Sequence, residues 1–155
     1  MKYLPIFCLT LLMIACSSLL AQRIENSAIS KEVKQAFKKV HPGAFPYEWK
    51  YVKKKNAYKA YFVNDGKKFK SYFRPNGEWM YAKTKVEKED LPENIWKQYY
   101  ESEWMDWKLS KTQLRLTPDC GTVYILKVKR GKKSTKETAK LYYDENGKFL
   151  KVKSN

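Results

Sequence analysis

YFRPNGEWMYAK, residues 72–83, and YYDENGKFLK, residues 142–151, each set Asn-Gly between two runs in which apolar and polar residues alternate. Alternation with period two is the pattern of a half-buried strand. Asn-Gly tolerates positive φ and so marks a tight hairpin. One hairpin written twice in a short chain predicts an internal repeat.

Working outward from the first hairpin, strand signals run over Tyr47 to Lys54, Ala57 to Val63, Lys68 to Arg74 and Glu78 to Lys85. Asn64-Asp65-Gly66-Lys67 makes another turn among them. Ahead of them, SKEVKQAFKKV at 30–40 places Val33, Ala36, Phe37 and Val40 on one helical face. Ser30 is its expected N-cap, and His41-Pro42-Gly43 ends it. The second hairpin has the same surroundings. A helix is expected from Asp90, as cap with Glu93 three residues on, to Ser102 or Trp104, with Ile95, Trp96 and Tyr99 apolar. Pro92 is tolerated in its first turn. Strands follow at Trp107–Leu116, Thr122–Arg130, Ala139–Tyr143 and Lys148–Val152. Trp49-Lys50 matches Trp107-Lys108, and Gly77 matches Gly147; the second copy is longer in the loops around Pro118 and Lys132. The expected fold is α+β: two helix-plus-four-strand units, 30–86 and 87–155, share one antiparallel sheet of about eight strands, with both helices on one face.

Residues 1–21 read as a secretory signal peptide, with one lysine before an apolar run from Leu4 to Leu20 and cleavage expected after Ala21. A short segment, 22–29, precedes the first unit. Met13-Ile14-Ala15-Cys16 loosely resembles a lipobox, which would make Cys16 a lipidated first residue and the protein an outer-membrane lipoprotein. Apolar Leu19-Leu20 argue against that cut. Either route leads out of the cytoplasm, to a periplasmic or extracellular place, with no transmembrane segment in the mature chain. Cleavage after Ala21 leaves Cys120 as the one cysteine, so no internal disulfide forms and the core must hold the fold.

The formal charge of +16 falls to about +15 when Lys2 leaves with the signal. Inside a cell that charge would point to nucleic acid. For an exported chain no nucleic-acid partner is expected, and the polyanions at hand are those of the envelope. The lysines are spread along the sequence, which reads as a solvated surface.

Strand alternation separates two faces. Phe69, Ser71, Phe73, Met80 and Ala82 in one copy, and Ala139, Leu141, Tyr143, Leu150 and Val152 in the other, are expected under the helices. The alternate positions are Lys70, Tyr72, Arg74, Trp79 and Tyr81, then Lys140, Tyr142, Asp144, Phe149 and Lys151. Aromatic residues are good strand formers and pair across strands. They are also common energetic anchors of interfaces when rimmed by charge. Tyr72, Trp79, Tyr81, Tyr142 and Phe149, with Lys70, Arg74, Lys140 and Lys151, are therefore the candidate binding residues for a protein or peptide partner.

VKQAFKKVHPGA, YEWKY, AYKAYFV, FRPNGEWMYAKT and LPENIWKQY together resemble the secreted bacterial β-lactamase-inhibitor-like, or PepSY-like, envelope proteins, over Ser30 to Lys153. The resemblance implies a signal peptide, one or two helix-plus-four-strand units, and a sheet face as binding surface. It implies no catalytic residue and does not carry a function across.

Catalytic signals are lacking in the sequence. His41 sits before proline at a helix end. No Cys/His set has metal-ligand spacing, and there is no phosphate loop or nucleophile elbow. Glu87, Glu89, Asp90 and Glu93 cluster where they complement a helix N-terminus. The expectation is a non-catalytic binding or inhibitor-like module without a cofactor, with polyanion binding through the basic surface as the alternative.

Overall fold

The structure is a computed structural model and describes residues 22–25, 28–132 and 135–154. The expected signal segment 1–21, with Cys16 and Ala21, lies outside the described residues. The order is β1 (Gln22–Ile24), α1 (Lys31–Val40), β2 (Pro46–Val52), β3 (Ala57–Asn64), β4 (Lys67–Phe73), β5 (Trp79–Lys85), α2 (Glu93–Tyr100), β6 (Lys108–Thr117), β7 (Gly121–Arg130), β8 (Glu137–Asp144) and β9 (Phe149–Ser154). The strands lie side by side in chain order in one antiparallel sheet. Eight are the expected ones. The ninth, β1, pairs with β2 from the segment that the sequence left unassigned.

Both helices bury apolar residues against the same side of this sheet. Val33 and Phe37 of α1 pack with Trp49, Ala60, Phe62, Phe69, Phe73 and Ala82. Ile95 and Tyr99 of α2 pack with Leu109, Leu126, Val128, Ala139, Leu141 and Tyr143. Leu114 of β6 touches both clusters, and β5 pairs with β6 through Ala82↔Leu116 and Thr84↔Leu114. The two units are thus joined by backbone hydrogen bonds and by a shared apolar side chain.

Ser30 caps α1 as expected, accepting from the Val33 amide at 3.4 Å. The start of α2 differs. Pro92 is the N-cap, with no side-chain hydrogen bond to it, and the helix ends at Tyr100. Asp90 instead lies in a preceding turn, its amide bonded to the Glu87 carbonyl and its carboxylate 3.8 Å from Lys67 Nζ. A proline at the N-cap offers no side-chain acceptor to the first-turn amides, so the capping box is not formed.

The two diagnostic hairpins are built alike. In the first, the Gly77 amide donates to the Arg74 carbonyl and the Arg74 amide to the Glu78 carbonyl. In the second, Gly147 donates to Asp144 and Asp144 to Lys148. Glycine alone takes positive φ in these turns, 85° at Gly77 and 82° at Gly147. The pattern is a three-residue loop ending in a left-handed glycine, rather than the two-residue turn that Asn-Gly also allows. Asp65-Gly66 does form the two-residue turn, with both φ values positive.

Each hairpin glycine also meets a helix. A Cβ on Gly77 would lie 3.1 Å from the Glu32 carbonyl oxygen, and one on Gly147 would lie 3.0 Å from that of Asn94. Glu32 and Asn94 are both second residues of their helices, so each hairpin tip is seated on the first turn of its own unit's helix. Gly77→Ala combines left-handed strain with this crowding and is expected to cost about 1.5 kcal/mol. Urea denaturation measures it; an unchanged midpoint would refute the close seating.

Candidate functional site

Beyond each hairpin the register slips by one residue. Tyr72 pairs with Tyr81, but Phe73 pairs with Trp79, leaving Met80 as the extra residue of a β-bulge. Tyr142 pairs with Lys151 and Tyr143 with Phe149, leaving Leu150 extra. A bulge inverts the alternation on its far side. Trp79 and Phe149, expected on the open face, therefore turn toward the helices. Trp79 Nε1 donates to Ser71 Oγ at 3.0 Å, and its ring centroid lies 6.0 Å from that of His41. Phe149 packs 5.6 Å from the ring of Tyr143 but stays 43% exposed on the edge strand. Met80 and Leu150, expected inside, occupy the bulges; Leu150 is exposed. Ala82 keeps its expected inward side, and Val152 lies across from Leu141 but stays exposed because β9 is an edge strand.

Ser71 Oγ also lies 2.9 Å from His41 Nε2. His41 is at the helix end as expected, as the C-cap of α1, but its ring is half-buried among Phe37, Phe62, Phe73 and Trp79, and burial holds its pKa down at about 4. Ser71 is fully buried, and its contact with the half-buried His41 ties the end of α1 to the sheet.

The other sheet face is left open by both helices. Registers place its residues in rows that cross the strands. One row runs Lys50, Lys59, Tyr72, Tyr81 over β2 to β5. The next runs Tyr61, Lys70, Lys83, Arg115, Val123, Asp144 over β3 to β8. A third carries Lys85, Gln113, Ile125, Tyr142, Lys151, and a fourth Lys111, Lys127, Lys140, Lys153. Ten of the lysines that look scattered along the chain are thus gathered onto one surface.

Of the expected site residues, Tyr72, Tyr81, Tyr142, Lys70, Lys140 and Lys151 meet on this face. Arg74 does not; it sits in the hairpin, paired with Glu78 at 3.1 Å. Lys50, Lys59, Tyr61, Lys83, Lys111, Arg115, Lys127 and Lys153 belong to the face and were missed. Extending the strand parity to β2, β3, β6 and β7, and to the remaining positions of β5 and β9, would have found them.

The tyrosines form a floor rather than protruding anchors. Tyr72 is only 6% exposed and Tyr142 only 8%. Tyr72 stacks on Tyr81 with centroids 4.6 Å apart, and burial, with Tyr81 and Tyr61 nearby, pushes its pKa up to about 12. Cations cover the rings. Lys50, Lys59 and Lys70 all place Nζ within 5.5 Å of the Tyr61 centroid, and the Arg115 guanidinium lies 4.7 Å from that of Tyr81. Such contacts each add a modest attraction. Lys83, over Tyr72 at 5.5 Å, has its pKa lowered to about 8 by burial and then by repulsion from Arg115, Lys70, Lys55 and Lys111.

Little negative charge balances this surface. Glu48 is taken by Lys50 at 3.1 Å. One oxygen of Asp144 accepts from the amides of Asn146 and Lys148. Among the described residues, Lys70, Lys83, Arg115, Lys111, Lys127, Lys140 and Lys153 have no carboxylate within 4.0 Å. Arg115 Nε is buried and has no hydrogen-bond partner.

The same architecture recurs in solved structures. A BLIP-like protein from Bacteroides fragilis matches with a TM-score of 0.69 at 24% identity, covering 81% of this chain and 85% of that one. A Bacteroides eggerthii protein provisionally described as periplasmic matches at TM-score 0.63 and 22% identity, over 81% and 88%. A DUF2874 family protein from Bacteroides uniformis matches at TM-score 0.65 and 17% identity, over 81% and 88%. The likeness shows a shared fold. The resemblance to β-lactamase-inhibitor-like proteins read from short motifs therefore holds at the level of architecture. No family model and no curated protein matches the sequence. No described helix is long and apolar enough to cross a membrane.

Proposed function

We propose that the chain is an exported, non-catalytic binding module of the bacterial envelope that docks a protein or peptide partner on its open sheet face. The observation that carries this reading is the face itself: cations stand over a tyrosine floor, largely without ion pairs, on the side that neither helix covers. Tyrosine and arginine are frequent interface anchors, and a cationic surface steers an acidic partner toward them. The BLIP-like and periplasmic descriptions of two fold neighbours are consistent with it. A photo-crosslinking residue at Tyr61 is expected to capture one predominant protein in the producing cells, while the same residue at Lys38 on α1 captures none. Equal capture from both positions would overturn the reading.

A second reading, an envelope polyanion as ligand, is favoured by the four lysines in register on β6 to β9. Its mark would be an affinity that falls steeply with salt whatever the polymer, since binding would consist of charge neutralisation.

A further inference from the structure

Lys111, Lys127, Lys140 and Lys153 are direct register partners on four consecutive strands. Neighbouring strands lie about 4.8 Å apart. Like charges placed directly opposite one another destabilise a sheet. Protection of a sheet edge explains Lys153 on β9, but not Lys127 and Lys140, which lie on interior strands. Lys70, Lys83 and Arg115 repeat the arrangement on β4, β5 and β6. Two rows of opposed cations are retained at a cost to the isolated fold.

The surroundings say what would offset that cost. The buried Arg115 Nε–H lacks an acceptor. Between the rows, Lys111, Gln113, Ile125, Lys127 and Lys140 line a groove of ≈ 200 Å³. Ile125 belongs there to an apolar cluster with Val123 and Tyr142. Those three side chains are already buried, so what stays open is the groove above them; a polymer of anionic groups alone would satisfy the cations and leave that groove unfilled. A polypeptide rich in Asp and Glu supplies carboxylates for the rows and apolar side chains small enough to fill the groove over Ile125.

We infer that the two cation rows are carboxylate-binding tracks and that the partner of the open face is an acidic peptide segment with interspersed apolar residues. The inference rests on the open-face reading given above. Carboxylates of the segment accept from Arg115 and Lys83 on one track and from Lys127 and Lys140 on the other, and the apolar residues lie over Ile125.

The test uses a labelled dodecapeptide of glutamate with two leucines, its glutamine counterpart, inorganic polyphosphate, and vesicles containing phosphatidylglycerol. The mature chain is expected to bind the acidic peptide, and Lys127→Gln with Lys140→Gln to weaken it by about tenfold while raising the urea midpoint of unfolding, since the opposed charges are gone. Arg115→Lys, which keeps the charge but loses the fork, should also weaken it. Amide shifts in NMR spectra should localise binding to β4–β8. Equal binding of the glutamine peptide at those amides would overturn the acidic tracks and leave the open face standing. Shifts confined to α1 and α2 would overturn both. Tighter binding of polyphosphate or vesicles than of the peptide would also overturn the carboxylate assignment.

Discussion

Trp79→Ala is expected to lower the free energy of unfolding by about 3 kcal/mol while leaving ligand binding on the open face unchanged under folding conditions. Truncating a large aromatic in a core removes its transfer free energy and leaves a cavity. Trp79 is half-buried against the cluster under α1, and its indole N–H holds Ser71, which in turn meets His41. Tyr81→Ala should behave in the opposite way. Its ring stacks on Tyr72 and carries Arg115 on the open face, so its loss should weaken binding more than it destabilises. Urea denaturation and peptide titration on both variants separate the two effects. A Trp79→Ala protein of wild-type stability that no longer binds would restore the regular, unbulged register.

Acid is expected to weaken the fold in a window above the carboxylate range. His41 is held neutral by burial, with a pKa of about 4 against an ordinary 6.5. Between those values the unfolded chain binds a proton that the folded chain does not, so stability falls as pH falls. The contribution is whole above pH 6.5 and is lost progressively toward pH 4. Full conversion of the shift would overstate it, because the ring is only partly withdrawn from solvent; roughly 2 kcal/mol remains after discounting for screening. His41→Gln can still reach Ser71 but does not titrate. It should be less stable at pH 7 and show a flatter profile between pH 6.5 and 4. A variant that keeps the wild-type slope would exclude His41 as its cause.

Much of the architecture was legible because it rests on local rules. Period-two runs, turn dipeptides and the Val33/Phe37 and Ile95/Tyr99 spacings place eight strands and two helices. Duplication supports them, since two copies must agree. The start of α2 was misread because Asp90 and Glu93 satisfy a capping pattern, while the helix begins after Pro92 and leaves Asp90 in the preceding turn. Strand β1 escaped because three residues carry too little pattern; pairing with β2 defines it.

The candidate site was half legible. Alternation sent Lys70, Tyr72, Tyr81, Lys140, Tyr142 and Lys151 to the open face without error. It failed for Trp79 and Phe149, which lie on the far side of a bulge. A bulge is decided by the hairpin's fit to its neighbours, here a glycine seated against a helix carbonyl in each copy. Composition shows the positive charge but not where it collects.

Sequence alone determined the α+β class, the duplication, the helix faces and the two hairpins, because each depends on residues near one another in the chain. Tertiary structure decided which aromatics are core and which are surface, and it turned dispersed lysines into opposed rows. Register sets those outcomes, and register comes from contacts between distant residues: Gly77 with Glu32, Gly147 with Asn94, and β5 with β6.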